Sequence, residues 1–389
     1  MHARATAVAL GIGLLGWLSG PGGEVVRADA IYSVTRIDGL AGGLGSQAAG
    51  INNAGQVMGT TDFVSSSFEG LSIAAPRPFV TVEGRAVAIG STTGTVAAIN
   101  DRGQAVGYSD GSSSGGYVSS GGAATPIAIS GRGGPTGINS AGTIVGSIDG
   151  RPYALDGGRV TYLPVGSYPA GDAAAINDSG RIVLNLHAVA DPYDTRGFVL
   201  GSSGALKDLG TLGGVYTKAA AIDQFGRVVG SSATMSGGPM YLHGNPHAFI
   251  YADGVIRDLG TLGGLFSVAL GINSHGTVVG ASTLAGGDYF SATHAFVVAP
   301  GGRMVDLNSL VAADLGWTLT TASGINDVGQ IAATGVDAAG RRAAFLLTLR
   351  PPGQPTAQGD STVVPEPATV VLLSLGGAAA MLVRRRRRA

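Results

Sequence analysis

Between residues 31 and 350, apolar and polar positions alternate with a period of two. The runs are four to six residues long and are bounded by Gly, Asp and Asn, and no stretch of 11 residues sustains a helical period. The alternation itself recurs. An apolar-Asn-x-x-Gly core appears at GINNAGQVMG (50–59), AINDRGQAVG (98–107), GINSAGTIVG (137–146), AINDSGRIVL (175–184), AIDQFGRVVG (221–230), GINSHGTVVG (271–280) and GINDVGQIAA (324–333). The isoleucines are separated by 48, 39, 38, 46, 50 and 53 residues, the length of a propeller blade.

Each unit resolves into four short strands. A first strand runs into a turn whose Asn can bond its own backbone and whose Gly accepts φ > 0, and a second apolar strand follows. The turn pairs are Asn52 and Gly55, Asn100 and Gly103, Asn139 and Gly142, Asn177 and Gly180, Asp223 and Gly226, Asn273 and Gly276, and Asn326 and Gly329. A third strand follows a variable loop, at 77–82, 151–155, 196–200, 247–251, 294–298 and 342–347. A fourth includes ALKDLGTLGG (205–214) and VIRDLGTLGG (255–264). The seventh unit ends on its third strand, whereas Tyr32–Ala41 has the pattern of a fourth strand with no hairpin before it. Shared in one blade, the two fragments would remove open sheet edges. The expected fold is all-β, a seven-bladed propeller closed by an N-terminal strand, with an open β-solenoid as the alternative. The motifs HAF, DLGTLGG, GIN and VVG together resemble bacterial extracellular repeats known by their His-Ala-Phe signature, a resemblance that implies location and architecture and no activity.

Both ends read as addresses, each with an apolar helix. Residues 1–30 have His2 and Arg4 ahead of an apolar stretch from Ala5 to Leu18 and a Gly-Pro-Gly-Gly break. Ala28 and Ala30 then fit a small-x-small cleavage site, which predicts a mature chain from Ile31. A Pro-, Gly- and Ser/Thr-rich linker spans 351–364. Residues 365–389 hold Pro365-Glu366-Pro367, a hydrophobic segment of 16 residues, and Arg384, Arg385, Arg386, Arg387 and Arg388. The segment falls just short of a ~30 Å hydrocarbon core, and the arginines belong on its cytoplasmic side. This tail resembles the PEP-CTERM sorting signal, which implies export, a membrane-held stage and an exosortase-like membrane protease as partner. A plain tail anchor is the alternative.

Composition and charge narrow the function. Gly is 67 of 389 residues and charged residues are 13%, against roughly 25% in an average chain, so the protein is turn-rich and poorly charged. Cysteine is absent, which removes disulfides and thiolate chemistry. Residues 31–364 carry 17 basic and 22 acidic side chains, a net charge of −5 that disfavours nucleic acid. His247 and His294 occupy a repeat position also held by Arg77, Arg151 and Arg196, which points to a structural bond rather than a catalytic or metal-binding role. The turn asparagines offer too few carboxylates for calcium, and no phosphate-binding or G-x-S-x-G motif is present. No cofactor, metal or catalytic residue is therefore expected. The reading is an exported surface or matrix module binding exopolysaccharide or protein, with a propeller-fold polysaccharide lyase or glycosidase as the alternative. Aromatic residues in the longer insertions (61–76, 108–120, 231–246, 281–293), among them Phe63, Phe68, Tyr108, Tyr117, Tyr241, Tyr289 and Phe290, are the candidate sugar-stacking groups.

Overall fold

The computed structural model describes residues 30–351 except 69–70, 91–92, 110–115, 130, 189–190, 236–243 and 289. The leader, the sorting tail and their expected helices lie outside the described residues. The chain opens with β1 (Tyr32–Ile37). Blade 1 is β2 (Gly45–Ile51), β3 (Val57–Phe68), β4 (Leu71–Val82) and β5 (Arg85–Ala88); blade 2 is β6 (Gly94–Ile99), β7 (Gln104–Ser109), β8 (Tyr117–Ser120) and β9 (Ala123–Pro126). Blade 3 is β10 (Gly133–Ile138), β11 (Ile144–Ile148), β12 (Arg151–Asp156) and β13 (Arg159–Tyr162); blade 4 is β14 (Ala170–Ile176), β15 (Ile182–Ala188), β16 (Asp191–Leu200) and β17 (Leu206–Asp208). Blade 5 is β18 (Gly213–Ile222), β19 (Val228–Thr234), β20 (Pro246–Ala252) and β21 (Val255–Asp258); blade 6 is β22 (Gly263–Ile272), β23 (Val278–Leu284), β24 (Thr293–Val298) and β25 (Met304–Asp306). Blade 7 is β26 (Trp317–Ile325), β27 (Ile331–Asp337) and β28 (Arg342–Leu349), completed by β1.

These seven four-stranded antiparallel sheets form a β-propeller. Closure is explicit in the register, since β1 pairs with β28 from Tyr32↔Leu349 to Ile37↔Ala344. The joint to blade 1 is sewn by side chains: Ala344 N donates to Ser46 Oγ at 3.0 Å, and Ala48 N donates to Thr334 Oγ1 at 3.0 Å. An open solenoid is ruled out.

The core explains two of the repeated motifs together. The aromatic of HAF, or its equivalent, is Phe79, Tyr117, Tyr153, Phe198, Phe249, Phe296 or Phe345, and each is buried. In blades 1, 2, 3, 5 and 6 its cross-strand partner is the glycine of the VVG motif, as in Gly59↔Phe79 and Gly280↔Phe296. A Cβ on Gly280 would lie 2.0 Å from Val268 O of the inner strand and 2.9 Å from the Phe296 ring, so the small residue accommodates both the inner strand's backbone and the aromatic. Tyr153 is the poor fit, because its hydroxyl is buried without a partner.

Three local expectations need correction. DLGTLGG is not a fourth strand: β17 and β21 stop at Asp208 and Asp258, and the remainder carries the chain to the next blade. The aspartate ends the strand by accepting the N–H of Gly210 or Gly260 at 2.7 Å, and both glycines have positive φ. The insertion at 61–76 is mainly hairpin, with β3 and β4 each 12 residues long. Tyr117 is not a loop aromatic; it is the 5% exposed core ring of blade 2, donating through its hydroxyl to Thr95 O at 2.9 Å. Sequence reading also passed over the polar third strand of blade 2 and a short 3₁₀ helix at Leu307–Leu310.

Removing residues 31–41 while keeping the leader should expose two sheet edges and destabilise all seven blades together. Thermal unfolding and size-exclusion chromatography check this, with a lowered melting temperature and aggregates as the expected outcome.

Candidate functional site

The seven Asn-x-x-Gly turns meet around the propeller axis. Each turn is built alike. The Asn or Asp side chain accepts the N–H of the residue four positions on, for example Gln56 N to Asn52 Oδ1 and Gln104 N to Asn100 Oδ1, both at 2.9 Å. The turn glycines Gly55, Gly103, Gly142, Gly180, Gly226, Gly276 and Gly329 have φ between 74° and 94°, which a side chain would strain.

The sequence assigned these glycines one common role, and in space they differ. A Cβ on Gly103 would lie 2.8 Å from Gln56 Oε1 of the preceding blade, and one on Gly55 would lie 3.0 Å from Gln330 Oε1. At Gly226 and Gly276 the added atom would meet the guanidinium of Arg181 or Arg227, again from the blade before. These four therefore also make room for a neighbouring blade's side chain. Gly142 is only loosely approached, by Gln104 at 4.0 Å, and Gly180 faces open space, so backbone conformation alone calls for glycine there. Gly329 is crowded from within its own blade, where a Cβ would lie 2.8 Å from Leu349.

The other half of the asparagine carboxamide links blade to blade. Nδ2 of Asn52 donates to Asn100 O at 3.0 Å, Asn100 to Asn139 O at 2.9 Å, Asn139 to Asn177 O at 3.3 Å and Asn177 to Asp223 O at 2.8 Å. Beyond blade 5, Asn273 donates to Asn326 O at 3.0 Å and Asn326 returns to Asn52 O at 3.2 Å. Asp223 has no N–H to give, and Arg227 stands in for it. Its Nε donates to Asp223 Oδ2 at 2.5 Å while Nη2 reaches Ser274 O at 2.7 Å in the next blade. The result is a closed hydrogen-bonded ring whose Asn and Asp members are only 3–6% exposed. Sequence reasoning found the six asparagines and Asp223, assigned them their turn function alone, and passed over Arg227.

A second polar ring lies beside the first. Asp101 accepts from Asn53 N and Nδ2, Asp178 from Ser140 N and Oγ, and Asp327 from Ser274 N. Asn53, Asp101, Asp178, Ser274 and Asp327 line a polar mouth of about 210 Å³. A second cavity of about 270 Å³ is lined by small residues such as Ala49, Gly50, Ala97 and Ala174. Ile51, Ile99, Ile222, Ile272 and Ile325 line both, so the isoleucine ring is the waist between them. Among the described residues no group of three or more His, Asp or Glu is placed to hold a metal.

The two repeat histidines lie away from the axis. His247 Nδ1 is 2.9 Å from Asp258 Oδ2, and His294 Nδ1 is 2.7 Å from Asp306 Oδ2. Arg196 makes the same link to Asp208 at 2.9 Å, so His of HAF and Asp of DLG form one cross-strand pair in which Arg can replace His. Where the aspartate is missing, the arginine lies over a ring instead: Arg77 over Phe63 at 4.7 Å and Arg151 over Tyr162 at 4.0 Å. Burial acts to raise the Asp258 carboxyl, but the bonds from His247 and from Gly260 N, with the His247 charge, hold it below its ordinary value. Asp172, on the inner strand of blade 4, behaves oppositely. Burial raises its carboxyl, despite the opposing bond from Asn185 and the charges of Lys218 and His187.

Fold and ring together define a closed seven-bladed propeller whose repeat residues are framework. Residues 363–388 match the PEP-CTERM protein-sorting motif. That motif marks an exported protein sorted by an exosortase and anchored in the membrane before processing. The tail lies outside the described residues; among these, no helix is long and apolar enough to cross a membrane. No curated protein matches the chain. Among solved structures, the β-propeller domain of the Trilobed protease from Pyrococcus furiosus, described as having an open velcro topology, is 10% identical, with 80% of this chain and 99% of that one covered at a TM-score of 0.45. At that score the likeness adds nothing to what the sheet topology defines.

Asn100→Ala removes a turn bond and leaves Asn139 O without its inter-blade donor, for an expected loss of about 2–3 kcal/mol in urea unfolding. Asp172→Asn should stabilise the protein at neutral pH. A carboxyl raised in the folded state favours folding below its unfolded pKa, and that contribution is lost as pH rises through the folded value. The melting-temperature gain of the variant should therefore fade as pH falls through the raised folded-state value and be gone below the ordinary carboxylate range.

Proposed function

We propose that the propeller is a non-enzymatic binding module for exopolysaccharide or a surface protein, displayed outside the cell after exosortase processing of its tail. The observation that carries this reading is the commitment of the axial polar groups. The turn asparagines, Asp223, Asp101, Asp178 and Asp327 are engaged in bonds within and between blades, which leaves no free acid and base facing each other at the polar mouth among the described residues. Loops at the opposite rim supply variable surface on a rigid frame; Phe290 is exposed in one of them, and Tyr108, a strand residue near the end of β7 rather than a loop residue, is exposed as well. The HAF-type repeat resemblance agrees with an extracellular setting, and a chain cut between the PEP motif and the arginines fits release into a biofilm matrix.

Asp172 favours a second reading. A partly buried carboxyl kept protonated to higher pH, near Lys218 and His187, is the sort of group a lyase or glycosidase of propeller fold would use as an acid. The full chain, extracted from the cell surface, separates the two on immobilised acidic and neutral polysaccharides. Retention with unchanged polymer length is expected, together with an intact mass lacking Arg384–Arg388. Polymer shortening by the native protein and not by Asp172→Asn would establish the enzyme instead, and recovery of the arginines would leave a plain anchor.

A further inference from the structure

The joint that closes the ring also forms a groove of about 420 Å³, lined by Arg36, Asp38, Trp317, Arg341, Arg342 and the connection from Gly39 to Ser46. Its size falls in the roughly 300–1,000 Å³ range of small-molecule sites. The groove exists because blade 7 is assembled from both ends of the body, so the segment leaving β1 crosses to blade 1 over the start of β26 and the turn into β28.

Its floor is rigid and short of side chains. Thr61, 1% exposed, accepts the Leu40 N–H on its hydroxyl at 3.0 Å. A Cβ on Gly39 would lie 2.6 Å from that hydroxyl, and one on Gly43 would meet the Thr61 methyl, so glycine is required at both positions for the connection to lie this close. Ser46, 3% exposed, is fixed by Ile37 O at 3.2 Å and Ala344 N at 3.0 Å.

The walls carry the chemistry. Trp317 is held edge-on against Phe345 with ring centroids 5.4 Å apart, and the Arg36 guanidinium lies 5.8 Å from the indole centroid. Arg36 also pairs with Asp38 at 3.0 Å, but both side chains are more than half exposed, so the pair is weak and can exchange partners. Arg341 is held by Asp337. Arg342 is exposed and makes no ion pair among the described residues. Three arginines and one aspartate thus line one groove together with a tryptophan, in a body with only 17 basic residues against 22 acidic.

We propose that this groove binds a sugar ring bearing a carboxylate, a uronic acid unit of an acidic polysaccharide. An indole face stacks on the apolar face of a pyranose, and guanidinium groups pair with carboxylate oxygens. The assignment rests on the glycan-binding reading above and narrows it to one ligand class and one place.

Trp317 reports on the site directly. The chain has two tryptophans, and Trp17 lies in the leader, where it contributes at most a constant background. Tryptophan fluorescence of the surface-extracted full chain is titrated with trigalacturonate and with galactotriose, which has a hydroxymethyl group in place of each carboxylate. Saturable change with trigalacturonate is expected, weakened about tenfold or more for galactotriose, for Arg342→Gln and for Arg36→Gln, and weakened by added salt. Unchanged melting temperatures show that the variants remain folded. Equal response to both trimers would overturn carboxylate recognition. Calorimetric binding of trigalacturonate with no change in fluorescence and no effect of the arginine variants would overturn the site while leaving glycan binding intact. Absence of calorimetric binding to either trimer would overturn this assignment; the polysaccharide-retention assay decides the broader reading separately.

Discussion

Seven separate sheets have to be held in place around one axis, and here one interaction answers that constraint: the carboxamide of a turn asparagine. Its oxygen holds the turn of its own blade and its nitrogen holds the backbone of the next, so the inner strands cannot rotate apart without breaking both. Because each member sits almost out of solvent, an unmade bond would leave the next turn's carbonyl with only the N–H of its own turn glycine and no tie to the neighbouring blade, and this is what makes the ring strict about residue type. Blade 5 shows the strictness by its exception. Asp223 keeps the turn but cannot donate, and the donor is restored by the guanidinium of Arg227 rather than omitted.

The outer layers follow from the same use of fixed positions. In five blades a glycine on the second strand sits between the inner strand's carbonyl and the aromatic of the third, and in blades 4 to 6 the residue two positions before that aromatic ties to the aspartate that ends the fourth strand. HAF, VVG and DLG are therefore parts of one contact set within a blade. Blades 1 and 3, which lack DLG, have lost the aspartate and keep an arginine that packs on a ring, which accounts for their weaker resemblance to the others without any change of fold.

Strand count, blade count and closure were legible in the sequence because each repeats a backbone constraint at fixed spacing: positive φ at Gly55 or Gly276, period-two burial, and a stray fourth strand at Tyr32–Ile37. Relations between units were not legible. Nothing local in INNAG says that Asn52 reaches Asn100, 48 residues on, or that Gln56 lies over Gly103. Tyr117 looked like loop because its strand is only four residues long and contains two serines. Ser119 is buried in that strand, so the hydrophobic pattern that marks a strand elsewhere is blurred there. The groove was beyond reach for the same reason as the ring, since Arg36 and Trp317 are brought together only by closure.

Where a repeat protein keeps a residue in every unit, that residue serves the frame, and chemistry specific to one ligand has to sit where the repeats differ. The axis is the most repeated part of this molecule and its polar groups are engaged. The departures are the Asp223 and Arg227 substitution, the partly buried Asp172 with Lys218 near it, and the seam between blades 7 and 1. The first is consumed in restoring the ring. The second is engaged by Asn185. Only the seam joins chain segments that need not obey the repeat, because its connection follows a strand with no hairpin before it and meets a blade with no fourth strand behind it. It is also where exposed arginines share a groove with the single tryptophan of the propeller, on a body that is otherwise net acidic. The seam that gives the ring its stability is thus also the part of the ring with most freedom to acquire a ligand.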